Sequence, residues 1–166
     1  LMRSSAASDV YKRQWLYFSG IIGFCAKITE MDILDFKSAS RCYFMDMGLA
    51  NYYLTRTGTD SRVLAGTLNE NYVYINLKKR QDFPQEISFE TPAFATYRGG
   101  EIDFVAQSLS SSTRYLIEVK AGKGTASTAQ KALAQGKADK LLYLKGATKG
   151  GIDVKTETLP IYCLLY

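Results

Sequence analysis

Two short hydrophobic runs carry carboxylates where a sheet would ordinarily hold apolar side chains, and they constrain this chain more than any other feature. The first is Gly100-Glu101-Ile102-Asp103-Phe104-Val105; the second is Tyr115-Leu116-Ile117-Glu118-Val119-Lys120. Side chains alternate between the faces of an extended strand, so Glu118 and Lys120 project from one face. The same rule gives Glu101 and Asp103 one face, with Ile102, Phe104 and Ala106 on the other. Neighbouring strands of this kind can bring Asp103, Glu118 and Lys120 together. Two carboxylates side by side repel each other, and a divalent cation relieves the repulsion. A lysine beside them can orient or deprotonate a water, or neutralise a phosphate. These are the minimal parts of metal-assisted phosphodiester hydrolysis. The competing reading is structural: charged residues in a strand usually form its solvated face, and an isolated Glu-x-Lys is common.

A third element lies upstream. Gly66 to Arg80 reads as a helix, in which Glu70, Val73, Tyr74 and Leu77 fall at i, i+3, i+4 and i+7 on one face. Glu70 therefore interrupts an apolar stripe, where an unpaired carboxylate is costly. It either sits at the rim near the helix start, where the dipole favours an acid, or points into the same polar pocket as Asp103 and Glu118. Further along, strands are expected over about 86–90, 94–98, 101–107, 114–120 and 139–145, with a helix over about 126–137.

The series Glu70, Gly-Glu-Ile-Asp103 and Ile-Glu118-Val-Lys120 resembles the PD-(D/E)XK nuclease superfamily. More closely, Arg41-Cys42-Tyr43-Phe44-Met45-Asp46-Met47-Gly48-Leu49, Gly66-x-Leu68-x-Glu70-Asn71, Tyr97-Arg98 and Pro160-Ile161-Tyr162 resemble the domain-of-unknown-function family numbered 4143. The resemblance covers about residues 15–166, and its specificity lies in the joint order of weak motifs. It implies an α/β fold with a restriction-endonuclease-like core, a central mixed β-sheet flanked by helices in αβββαβ order. It implies a metal site for magnesium or manganese, formed by Asp103, Glu118, the Val119 carbonyl and Glu70, with Lys120 assisting the water. Ile102 stands where the superfamily name has proline. The family forms the C-terminal part of many prokaryotic AAA-type P-loop ATPases, so an ATPase domain is an expected partner, upstream of this chain.

Asp9-Val10-Tyr11-Lys12-Arg13-Gln14 reads as the in-frame translation of a transposon end used in sequencing-library preparation. Residues 1–14 are therefore expected to be a non-native tail. Residues 15–62 are expected to be an N-terminal strand and helix segment left from a linker to the ATPase, and residues 63–166 the nuclease-like domain.

About 150 residues suffice for one domain with its own core. The formal charge is +5, of which Arg3, Lys12, Arg13 and Asp9 in the tail contribute +2, leaving +3 for the rest. That mild excess is compatible with nucleic acid without requiring it. Lys78-Lys79-Arg80 suits a helix C-terminus better than a phosphate track. There is no histidine, which excludes Ser-His and Cys-His triads, a histidine base and most catalytic zinc sites. Cys25, Cys42 and Cys163 lack ligand spacing and read as buried thiols, which fits a reducing cytoplasm; that the cytoplasm is prokaryotic is what the family resemblance implies. No apolar run reaches the length of a membrane span. Gly122-Lys123-Gly124-Thr125 lacks the first glycine of a phosphate loop and reads as a turn, with Thr125 or Ser127 capping the next helix.

In the N-terminal part, Phe24–Glu30 and Arg41–Phe44 read as strands joined by a polar link, and Met47–Thr55 as a short helix. Leu159 to Tyr166 reads as a strand. Tyr72, Tyr74 and Tyr97-Arg98 could stack on bases, although packing in the core is the commoner use of tyrosine. Two functions remain: a magnesium-dependent nuclease-like domain acting on DNA or RNA, and a non-catalytic regulatory or interaction module that keeps the nuclease-like fold.

Overall fold

A computed structural model describes residues 6–35, 40–82, 90–122, 124–146 and 148–165. The elements run α1 (Ala6–Phe18), β1 (Ile22–Thr29), β2 (Ile33–Asp35), β3 (Arg41–Phe44), α2 (Met47–Leu54), α3 (Ser61–Asp82), β4 (Ala93–Tyr97) and β5 (Gly100–Gln107). They continue with β6 (Arg114–Lys120), α4 (Ser127–Ala134), β7 (Lys140–Lys145), β8 (Gly151–Ile152) and β9 (Thr156–Pro160), and 3-10 turns at Thr55–Thr57 and Ile161–Leu165. The fold is mixed α/β, with a central mixed sheet flanked by helices.

The sheet order is β2-β1-β4-β5-β6-β7-β9-β8, with β3 also on β1. β4, β5 and β6 form an antiparallel meander, whereas β1–β4, β6–β7 and β7–β9 are parallel. Residues 22–44 thus supply strands to the same sheet as the two acid-bearing runs.

Alternation divides the core into two layers. Val73, Tyr74 and Leu77 of α3 pack with Phe104, Ala106, Ile117, Val119, Leu142 and Leu144. Ala129, Ala132 and Leu133 of α4 pack with Ile102, Val105, Leu116, Leu141 and Tyr143 on the opposite face. The apolar stripe of α3 is therefore buried as its spacing predicts. Asn71 completes the attachment. Its side chain accepts from the Phe44 amide at 2.8 Å and donates to the Phe44 carbonyl at 2.9 Å, so α3 is tied to β3 with its amide satisfied.

The face assignment of β5 needs correction. Ala93 pairs with Val105 and Ala95 with Ile102, so β4 advances two residues while β5 advances three. That extra residue is a β-bulge at Asp103–Phe104, and it resets the alternation. Ile102 consequently lies on the α4 face, while Phe104 and Ala106 lie on the α3 face. Glu101 and Asp103 also serve different partners: Glu101 pairs with Arg41, and Asp103 with Lys120.

Other corrections are local. The α4 helix stops at Ala134 because Gly136 takes a left-handed conformation, φ +70°, just after it. Its N-cap is Ala126, and neither Thr125 nor Ser127 supplies a side-chain cap. The stretch after Pro160 is a 3-10 turn rather than a strand. Cys25 is buried, but Cys42 is exposed. Between Glu30 and the predicted polar link at 35–40 the chain adds the short strand β2, and residues 36–39 of that link lie outside the described residues. Most of the strand predicted over 86–90 lies outside the described residues. Lys78 donates to Gln81, and Arg80 donates to the Leu164 carbonyl at 2.7 Å, which favours the local reading of the basic end of α3. Tyr74 is buried and donates to the Phe24 carbonyl, and Tyr97 is buried too, so neither ring is presented for stacking. Among the described residues no helix is long and apolar enough to cross a membrane.

Residues 9–20 are exposed throughout, including Trp15 and Phe18. The α1 helix touches the body near its end, where Tyr17 meets Phe24. Deleting residues 1–14 is expected to change stability by less than about 1 kcal/mol, a shift in melting temperature of at most about 4 °C. A larger drop by calorimetry would make this segment part of the structure.

Candidate functional site

The site lies where β5 and β6 part. Their register runs from Gln107↔Arg114 to Phe104↔Ile117, and beyond it the Val119 amide donates to Asp103 Oδ2 at 2.8 Å. A side chain at the bulge thus takes the ladder position a backbone carbonyl would have filled. Bulges commonly re-aim side chains in this way.

Lys120 Nζ stands 2.7 Å from Glu118 Oε2 and 3.3 Å from Asp103 Oδ2. The two carboxylate oxygens share one ammonium and so are separated by no more than the sum of those distances. Asp103 is 8% exposed and Glu118 2%. Burial, and then the Asp103 charge beside it, push the Glu118 carboxyl up to about 7, and Lys120 offsets them only in part. Burial opposes the Lys120 charge, but Glu118 and Asp103 outweigh it and hold its pKa above the ordinary lysine range.

Glu70 stands at the margin. Its Oε2 is 3.7 Å from Arg41 Nη1, while Arg41 Nη2 lies 2.7 Å from Glu101 and the guanidinium carbon lies 4.4 Å over the Phe94 ring. Burial and then Asp103 raise the Glu70 pKa, against the pull of Arg41 and Lys120. Glu70 therefore faces the Asp103 cluster but is drawn toward Arg41. Tyr43, from the same strand as Arg41, has its own pKa raised by burial and then by Glu70. Tyr43 Oη and Arg41 Nη1 are buried without a well-formed hydrogen bond. Such atoms are costly, and a small closure of Glu70 onto Arg41 would relieve the second of them.

The structure thus brings Asp103, Glu118 and Lys120 together, with Glu70 beside them. Sequence reasoning did not single out Arg41 for a role. It lies on a strand far upstream of Glu70, and its place in a family-like motif was the only signal.

A family model described as Domain of unknown function (DUF4143) matches residues 65–164. The chain belongs to this family. No curated protein and no solved structure matches it. The DUF4143 match spans all four candidate residues, Glu70, Asp103, Glu118 and Lys120. It begins downstream of Arg41 and Tyr43.

The donors of the DUF4143 site fit a hard cation in kind. They are carboxylate oxygens, and four acids (Glu70, Glu101, Asp103 and Glu118) face two cations, Arg41 and Lys120. Among the described residues, no three His, Cys, Asp or Glu side chains are gathered closely enough to hold an ion together. The pair Asp103 and Glu118 is the one brought together on a single ammonium, that of Lys120.

Proposed function

We propose that this DUF4143 domain is a magnesium- or manganese-dependent phosphodiesterase acting on DNA or RNA, with a PD-(D/E)XK, restriction-endonuclease-like core. The observation that carries the reading is the buried Asp103–Glu118 pair sharing the Lys120 ammonium at the point where two strands part. Two acids and a cation held this closely, with one acid pushed up to about 7, are an arrangement that functional sites use.

In this reading Asp103, Glu118 and the Val119 carbonyl hold the cation, and Glu70 supports it from the margin. The ion, when bound, supplies positive charge at the phosphate and an acidified water. Lys120 exchanges its present carboxylate partners for the attacking water, orienting it and offsetting the charge that develops on phosphorus oxygens. Burial keeps bulk water away and strengthens each of these interactions. Hydrolysis forms one P–O bond from water and breaks another, leaving a phosphate monoester and a hydroxyl that takes up the proton.

The second reading is a non-catalytic regulatory or interaction module on the same fold. One observation favours it: Glu70 is drawn to Arg41, and among the described residues no third acid is gathered with the pair. In both readings the domain serves an AAA-type ATPase in a prokaryotic cytoplasm, a context resting on the family resemblance. Cleavage of labelled single- and double-stranded DNA and RNA with magnesium or manganese tests the choice. Metal-dependent products support the enzyme. Intact substrate under all conditions supports the module.

A further inference from the structure

We propose that Lys145 is a substrate-binding residue of this site, a second cation that holds a phosphate of the nucleic-acid backbone next to the one being cleaved. The inference rests on the phosphodiesterase reading and adds to it a residue from a third strand. β6 and β7 are parallel and in register, with Glu118 opposite Tyr143 and Lys120 opposite Lys145. Strand neighbours in register lie about 5 Å apart and project from the same face. Lys120 and Lys145 therefore stand side by side at the end of the sheet that holds the acids.

The two ammonium groups are held differently. Lys120 is taken by Glu118 and Asp103. Lys145 Nζ lies 4.5 Å over the centre of the Tyr143 ring, and it has no carboxylate partner among the described residues. A ring fixes a cation's position without neutralising its charge, so the charge of Lys145 stays available to an anion. The ring itself is anchored. Tyr143 is 8% exposed, and its hydroxyl donates to the Gly124 carbonyl. Gly124 in turn packs against the Lys120 stem, where a Cβ at 124 would stand 3.1 Å from Lys120 Cδ. Tyr143 thus supports both lysines, one through its ring face and one through Gly124.

The acids take one ion and, with it, one phosphate. A backbone presents phosphates in series, and the neighbouring one needs a cation not committed to a carboxylate. Among the lysines of β7 only Lys145 meets that need at the acid end. Lys140 lies at the other end, with its ammonium 3.5 Å from Glu157.

The test is binding of a labelled oligonucleotide, single-stranded and duplex, over a range of salt, with calcium as the divalent ion. Lys145→Gln is expected to weaken binding several-fold and to reduce the salt slope by about one unit, with Lys145→Arg restoring most of both. Lys140→Gln is the control for general loss of charge and is expected to change neither. Manganese binding, followed by titration calorimetry without nucleic acid, is expected to be the same for Lys145→Gln and the unaltered protein. Equal affinity and slope for Lys145→Gln and the unaltered protein would overturn the proposal, as would an equal loss in Lys140→Gln. Either result leaves manganese binding and cleavage as separate tests of the phosphodiesterase reading.

Discussion

Asp103→Asn and Lys120→Ala are each expected to give a folded protein whose metal-dependent cleavage has fallen by on the order of 10³-fold or more. Asn keeps the shape of the Asp103 side chain, and its amide oxygen can still accept from the Val119 amide, 2.8 Å away. What it lacks is the charge that holds a cation. Ala at 120 removes the group placed between both carboxylates, and with it the means of orienting a water against phosphorus. Asn fills the volume of Asp103, and the Lys120 side chain is 28% exposed, so its loss opens the site to solvent rather than leaving a closed cavity. Asp103→Asn also relieves repulsion with Glu118 in the metal-free state, so its stability should hold or rise. Circular dichroism and cleavage assays on the same preparations separate lost chemistry from lost fold. Activity surviving in both variants would assign the cleavage to another site.

The second large effect is on stability. Glu118→Gln is expected to stabilise the metal-free protein at pH 8 by on the order of 2–3 kcal/mol and to change little at pH 5. Burial, then Asp103, raise the Glu118 pKa to about 7, above its value in the unfolded chain. The folded state therefore holds a proton that the unfolded chain releases, and the stability it contributes is complete below the unfolded value. That contribution is lost as pH rises from about 4.5 through about 7, where the folded protein must ionise a carboxyl that is 2% exposed. Gln has no proton to lose and is spared that cost. Lys120 loses one partner in the variant but keeps Asp103 at 3.3 Å. Thermal melts of both proteins from pH 5 to pH 8 measure the difference. A gap independent of pH, or a variant less stable at pH 8, would contradict this account of Glu118.

Much of the frame was legible because it depends on local patterns. The strand from Arg114 to Lys120 follows from alternation, and Glu118 and Lys120 project together as that rule requires. The α3 stripe follows from helical spacing, and Val73, Tyr74 and Leu77 are buried accordingly. What was not legible depends on pairing between distant segments. The bulge at Asp103 exists because β4 and β5 advance unequally, and no count within β5 alone reveals it. Yet the bulge is what turns Asp103 to the Val119 amide and Lys120. Arg41 was hidden for the same reason, since only the fold brings β3 beside Glu70. Lys145 was hidden because its meaning comes from standing opposite Lys120 across a parallel pair. Strand β2 and the turn after Pro160 are too short for periodicity to register.

The central claim is that the buried Asp103–Glu118 pair is a cation site, and calorimetric titration with manganese tests it most directly. A saturable isotherm at pH 8 is expected, weaker at pH 5.5, where Glu118 must give up a proton before it can bind. In a pair of buffers of different ionisation enthalpy, the heats near pH 6 should differ by the proton released. Asp103→Asn should abolish the isotherm while leaving the fold unchanged. A flat isotherm for the unaltered protein at pH 8, or undiminished binding in Asp103→Asn, would contradict the claim.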